Sequence, residues 1–342
     1  MADGRIARRR WDPCAAWTFL AVALLSVFPS DAAGSDWTAV ADAKLSYTTD
    51  AFQFSSARRL RFNEDPTQPT VVQVEKPEDL IWEPSLELTR SFSSGTERTD
   101  LSVKARGYLF TDKPIFNHAE YRFQVRRTLG PETSVLLRYR HVPNLFLGPN
   151  FERRSGLQTI QEERVTTNGW RLEVDRRISD ALTATLAGRY GLRSYNEPFA
   201  ERDTRFLSAA PSLAYQVTPW ARALLSYMYE RGIADGAGDT RFNDDVSYRL
   251  HHVSTGTELS FDRRWSLALM YTFQRKNFTS ELAGDTHLGR QDTLHQGLME
   301  LGYRPKDDLL FTISYQRTQR ASSNVLRDFN DTIYSIGGEY RF

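Results

Sequence analysis

The order of connections constrains this chain more than any single motif. Short turns recur at Ser93–Thr99, Gly130–Glu132, Ser179–Asp180, Thr218–Pro219, Asp262–Arg264 and Pro305–Asp308. Longer polar stretches fall between them, at 58–79, 111–116, 143–164, 194–203, 232–243, 279–289 and 321–329. Short and long alternate throughout. A chain that meanders across a membrane, with tight turns on one side and long loops on the other, produces that order. A soluble sandwich has no reason to keep it. The segments so delimited are 41–57, 80–92, 100–110, 117–129, 133–142, 165–178, 181–193, 204–217, 220–231, 244–261, 265–278, 290–304, 309–320 and 330–342, fourteen in all. An even count puts both ends of the domain on the short-turn side. The first segment alternates poorly, and a count of twelve stays open if 133–142 and a neighbour are loop.

Within the segments apolar residues recur at every second position, the period of a strand with one apolar face. Leu101, Val103, Ala105, Gly107 and Leu109 share a face, as do Leu182, Ala184, Leu186, Gly188 and Tyr190. Trp265, Leu267, Leu269, Tyr271 and Phe273 form a third such stripe. Trp220 and Trp265 directly follow short turns and Phe261 precedes one, while Tyr139, Tyr190, Tyr229, Phe273 and Tyr315 sit at the opposite strand ends. Two aromatic belts are what strands crossing a bilayer carry. The mean hydropathy of −0.52 agrees with this, because only alternate strand residues face lipid. No apolar run after Phe28 approaches the roughly 20 residues of a membrane helix. The expected fold is therefore all-β: a transmembrane, antiparallel, up-and-down β-barrel of about 14 strands.

The amino end reads as a secretory signal over residues 1–34, leaving 35–342 as a single barrel domain. Four arginines lie between Gly4 and Arg10, the uncharged run Ala15–Phe28 follows, and Ala32, Ala33 and Gly34 offer small residues for cleavage. Cys14, the only cysteine, leaves with that segment, so no disulfide staples the mature domain.

The last strand carries Tyr334, Ile336, Gly338, Tyr340 and Phe342 on one face and Ser335, Gly337, Glu339 and Arg341 on the other. A C-terminal strand of this alternation ending in Phe resembles the closing strand of bacterial outer-membrane β-barrels of the porin type. That resemblance implies residence in the outer membrane of a Gram-negative cell, among its lipids and lipopolysaccharide. It also implies that Tyr340 and Phe342 are read by the barrel-assembly machinery. The Arg-Arg pairs beside short turns are similar to those of porin-like barrels found with exopolysaccharide systems, which implies passage of saccharide and a periplasmic export partner.

The face opposite the apolar stripes points into the lumen. Segments 100–193 place Lys104, Arg106, Arg122, Arg138, Arg140, Arg171 and Arg189 there, against Glu120, Glu173 and Asp175. Arg126 and Arg177 also point inward but sit at strand ends, where turn chemistry is the simpler role. Segments 204–342 put mainly small or amide side chains inward, among them Ser208, Ser226, Thr272 and Ser314, with the acids Glu230, Glu258 and Glu300. A basic wall facing a small polar wall gives a hydrated path with a transverse field. The expected function is a channel for small hydrophilic solutes, anionic ones or acidic saccharides. A non-conducting structural or adhesive barrel is the alternative if the arginines pair off with acids and fill the lumen.

Catalysis has one candidate. His252-Val253-Ser254-Thr255-Gly256 resembles the His-x-Ser-Asn-Gly signature of outer-membrane phospholipases and lipid A deacylases, in which the His activates the Ser. Thr255 replaces the Asn, and the alternation turns His252 and Ser254 inward, away from lipid. No cofactor is expected. Asp235, Asp239, Asp244 and Asp245 share a loop without calcium-loop spacing and read as solvated, and the six histidines show no zinc spacing, so no metal is expected. A net charge of +1 speaks against general nucleic-acid binding.

Overall fold

The computed structural model describes residues 37–53, 76–94, 97–157 and 159–342. The signal segment expected over 1–34 lies outside the described residues, as does most of the loop expected at 58–79.

Fourteen strands follow in chain order: β1 (Trp37–Thr48), β2 (Asp79–Ser94), β3 (Glu97–Phe110), β4 (His118–Thr128), β5 (Thr133–Phe151), β6 (Ile160–Arg177), β7 (Leu182–Tyr195), β8 (Thr204–Thr218), β9 (Ala221–Ala234), β10 (Tyr248–Ser260), β11 (Trp265–Phe278), β12 (Gln291–Lys306), β13 (Leu309–Ser322) and β14 (Phe329–Arg341). Each pairs antiparallel with its sequence neighbours, and β14 returns to β1 to close the barrel. The count is fourteen and not twelve. Short 3-10 turns at Pro114–Phe116, Glu197–Arg202 and Val325–Arg327 occupy three of the long connections. Among the described residues no helix is long and apolar enough to cross a membrane.

Closure follows from the need to satisfy every backbone polar group where water is absent. The β1–β14 ladder runs from Val40↔Arg341 to Thr48↔Ile333, so neither terminal strand presents an open edge. Side chains add to this seam on the lumen side. Asp331 accepts hydrogen bonds from the Thr48 hydroxyl at 2.8 Å and the Asp50 amide at 3.1 Å. Ser46 donates to Glu83 at 2.7 Å and meets Ser335 at 2.9 Å.

The apolar stripes point outward, with Leu186 and Ile313 each 61 % exposed. Such a continuous apolar surface is untenable in water and suited to hydrocarbon. At the short turns local polar chemistry aims the aromatics: Asp262 accepts from the backbone amides of Arg264 and Trp265, both at 2.7 Å, fixing where β11 and its Trp begin.

Two expectations about boundaries fail. The first strand is Trp37–Thr48 rather than 41–57: Ala39, Ala41 and Ala43 supply an outward face too small to stand out in the sequence, and the chain turns at Ala51–Phe52. The expected loop 143–164 is mostly strand, leaving only 152–159 between β5 and β6. Pro143, Gly148 and Pro149 read as breakers, yet the β5–β6 ladder absorbs them as register shifts at Val142/Leu145 and Phe146/Gly148. Asn144 (φ 49°) and Gly148 (φ 119°) take the positive φ these bulges require.

Candidate functional site: the charged lumen wall

Register places the lumen cations in two rows. Lys104 lies opposite Arg122, and Arg122 opposite Arg140, across β3, β4 and β5. Arg138 lies opposite Arg171, and Arg171 opposite Arg189, across β5, β6 and β7. Three like charges in direct cross-strand contact repel, and each row therefore draws in acids. Glu120 takes Arg140 at 2.6 Å and Arg122 at 3.1 Å. Glu173 takes Arg171 at 2.5 Å, Glu87 takes Lys104 at 3.4 Å, and Glu230 takes Arg189.

These cations outnumber Glu120, Glu173 and Asp175 on their own strands, yet Lys104, Arg122, Arg140, Arg171 and Arg189 are each paired. The acids that balance them come partly from strands outside the basic wall: Glu87 from β2 and Glu230 from β9. Glu83, also on β2, holds Lys44 of β1 at 3.1 Å. Arg126 belongs to the wall rather than to a turn, since it binds Asp175 at 2.8 Å and lies 3.8 Å from Glu173. Among the described residues Arg106 and Arg138 form no ion pair, and the Arg138 Nε donates only to the neutral Gln124 Oε1 at 3.0 Å. Arg138 is therefore a positive charge at the end of a cationic row, between Arg171 and its neutral partner Gln124.

The wall continues past β7 as a stack that the sequence did not reveal. The Phe206 ring lies over Gly191 and the Tyr248 ring over Gly232, where a Cβ would collide with the ring. Arg193 sits 4.5 Å from the Phe206 centroid and Arg189 5.0 Å from it, while Lys276 sits 4.1 Å from that of Tyr248. A cation over an aromatic face is attracted by the ring quadrupole, which holds these side chains against the wall. Tyr248 ties the stack to the acids by donating to Glu230 Oε1 at 2.5 Å and accepting from Arg193 at 2.5 Å. Glu230 is 1 % exposed and so is fully committed. The glycines at 191 and 232, each opposite an inward aromatic, were the available signal.

The facing wall is less charged. Thr272 donates to Ser254 at 3.4 Å, Arg222 pairs with Glu258 at 3.4 Å, and Glu300 has no ion pair among the described residues. His252 and Ser254 both face the lumen, opposite Gln274 and Thr272 on β11, and no hydrogen bond joins them. At the long-loop end Phe52, Phe116 and Phe146 form a buried aromatic cluster.

The expectation of a solvated acidic loop holds only in part. Asp239 is paired with exposed Arg241 at 2.7 Å, but Asp244 and Asp245 are buried. Arg202 binds Asp244 at 2.7 Å and Glu163 at 2.8 Å, and these contacts hold its guanidinium firmly charged despite burial. Tyr340 packs edge-on against Phe342 at 4.7 Å, outside the lumen.

No family model and no curated protein sequence matches the chain. Solved structures do resemble it. The outer-membrane channel DcaP of Acinetobacter baumannii superposes with a TM-score of 0.53 at 11 % identity, covering 92 % of this chain and 99 % of that one. OmpT of Vibrio cholerae with its loop L8 deleted gives 0.48 at 8 % identity, covering 90 % and 98 %. The anion-selective porin from Comamonas acidovorans gives 0.46 at 9 % identity, covering 90 % and 98 %. Only the first exceeds 0.5, and at 11 % identity it speaks to the fold alone. The chain has the closed, up-and-down fold of an outer-membrane barrel.

Proposed function

We infer that this protein resides in the outer membrane of a Gram-negative cell, after removal of the signal segment 1–34, as a channel for small hydrophilic anions or acidic saccharides. The observation that carries this reading is Arg138, which begins the cross-strand row that runs on through Arg171 to Arg189 and is left without an ion-pair acid among the described residues. A guanidinium in that position offers forked donors to a carboxylate. The neighbouring cations raise the local anion concentration, because low-dielectric walls focus their field. DcaP is an outer-membrane channel by its description, and the shared fold is consistent with conduction here.

Reversal potential in a planar bilayer under a KCl gradient tests the reading. Anion preference is expected at low salt, weakening as the Debye length falls from about 10 Å at 0.1 M to about 3 Å at 1 M. Neutralising Arg122, Arg138 and Arg171 together is expected to reduce it. A cation-selective potential, or one indifferent to the triple substitution, would overturn the assignment.

The ion pairs along the wall and the Phe52–Phe116–Phe146 cluster favour a second reading, a sealed structural or adhesive barrel. That barrel would show no conductance at any salt. Lipid hydrolysis finds less support, since His252 and Ser254 face the lumen without a mutual hydrogen bond. Turnover of phospholipid or lipid A that disappears in Ser254→Ala would restore it.

A further inference from the structure

Two of the long loops meet in a buried constellation unrelated to the lumen wall. Asp244 lies between β9 and β10, and Asp285 and His287 lie between β11 and β12, all three buried. One ligand atom from each falls within 4.8 Å of the others. His287 Nδ1 is 3.0 Å from Asp285 Oδ1 and 3.4 Å from Asp244 Oδ1. Nδ1 carries at most one hydrogen, which cannot serve both carboxylates well. Asp285 does not need it: its Oδ1 already accepts from the His287 amide at 2.9 Å, and its Oδ2 from the Ser280 hydroxyl at 2.5 Å and the Asp245 amide at 2.9 Å.

Asp244 is the group left short. Arg202 takes its Oδ2, while Oδ1, in a residue 1 % exposed and directed at His287, has no hydrogen-bond partner among the described residues. Both carboxylate oxygens of the nearby Glu201 are likewise buried without a hydrogen-bond partner, with only Arg154 at 3.7 Å. An unpartnered carboxylate oxygen costs about 1–3 kcal/mol or more when buried, and a protein rarely retains several in one place without a cation.

We propose that Asp244, Asp285 and His287 bind a divalent first-row transition metal, with Zn²⁺ the best chemical match, and so clasp the β9–β10 loop to the β11–β12 loop. One imidazole nitrogen with two carboxylate oxygens is a borderline donor set, which suits Zn²⁺ better than the oxygen-seeking Ca²⁺ or Mg²⁺. Two of the donor separations, 3.0 and 3.4 Å from His287 Nδ1, lie near the spacing of about 3.4 Å that tetrahedral bonds of about 2.1 Å require. An ion at this point takes the lone pair of Nδ1 and the stranded Asp244 Oδ1 together. Arg202 on Asp244, and Ser280 with the Asp245 amide on Asp285, fix the ligating carboxylates as outer partners of metal ligands do.

The test uses the full barrel, purified in detergent, stripped with chelator and dialysed separately against Zn²⁺, Mn²⁺ or Ca²⁺. Metal content is read by mass spectrometry and folding by heat-modifiable migration. Wild type is expected to retain roughly one Zn²⁺ per chain and to unfold at a higher temperature with it. His287→Ala and Asp244→Asn are expected to lose both the ion and the shift while still migrating as folded barrels. Asp239→Asn, on the exposed part of the same loop, should keep both. Failure of folded wild type to retain Zn²⁺, or equal retention by His287→Ala, would overturn the proposal.

Discussion

Thr48, on the first strand, donates its hydroxyl hydrogen to Asp331 on the last, at 2.8 Å and with both side chains buried. The same carboxylate receives the Asp50 amide, so one side chain anchors the point where the chain leaves the closing ladder. Asp331→Ala withdraws the acceptor from these two donors and from the Thr49 hydroxyl, which also donates to it at 3.3 Å. Removing a buried acceptor in this way costs about 1–3 kcal/mol. The temperature at which the folded band disappears in heat-modifiable migration should fall accordingly. An unchanged midpoint would show that backbone pairing alone holds the seam.

Neutralising a paired and an unpaired cation should differ. Arg138→Gln removes a charge that no acid offsets locally, and is expected to shift the reversal potential toward the cation side. Lys104→Gln combined with Glu87→Gln deletes an ion pair of zero net charge, and should leave the potential where it was while conserving the barrel. Equal shifts in the two variants would mean that the field of the wall does not set selectivity.

Phe342→Ala should lower the amount of protein reaching the membrane far more than it lowers the stability of barrel refolded in detergent. The side chain is largely exposed and its burial is worth at most about 1.5–3 kcal/mol, while its backbone amide still donates to Ala39 at 2.9 Å. Comparable membrane levels for variant and wild type would contradict a role for this residue in recognition by the assembly machinery.

The turn joining β5 and β6 should loosen in acid. Burial pushes the Glu152 carboxyl up, but hydrogen bonds from Ser155 and Thr159 outweigh it and hold the group below the usual carboxylate range. A folded value below the unfolded one, about 4.3, stabilises the turn above that unfolded value and ceases to do so as pH falls through the folded one. Hydrogen-exchange protection of the Ser155 and Thr159 amides, corrected for intrinsic rates, should therefore drop between about pH 6 and about pH 3 in wild type. Glu152→Gln should flatten that dependence.

Much of the fold was legible because strand faces are a local property. The parity of Leu101, Leu182 or Trp265 within its own segment already says which way its neighbours point, and the turns count the strands. What could not be read depends on partners distant in sequence. Whether Arg189 is free or paired is decided by Glu230 two strands away, and nothing around Arg189 hints at it. The buried group of Asp244 and His287 was hidden for the same reason, each residue reading as ordinary loop until the barrel brought the two loops together. Strand β5 failed differently: Pro143 and Pro149 are sound local signals of a break, overridden by bulges that only the pairing with β6 creates.

The rows of cross-strand cations also have a direction. Partners face one another at right angles to the strands, and barrel strands lean about 35–45° from the axis, so a row is a ramp and not a level ring. From Arg138 through Arg171 to Arg189 are two strand spacings of about 4.8 Å, which at that lean change depth by about 6 Å. A solute handed from one guanidinium to the next along this row turns about the barrel axis as it advances. A flexible chain with regularly spaced carboxylates can follow such a screw without letting go, whereas a rigid rod must release and rebind. Transit time, measured against the stiffness of otherwise similar anions, would register that geometry directly.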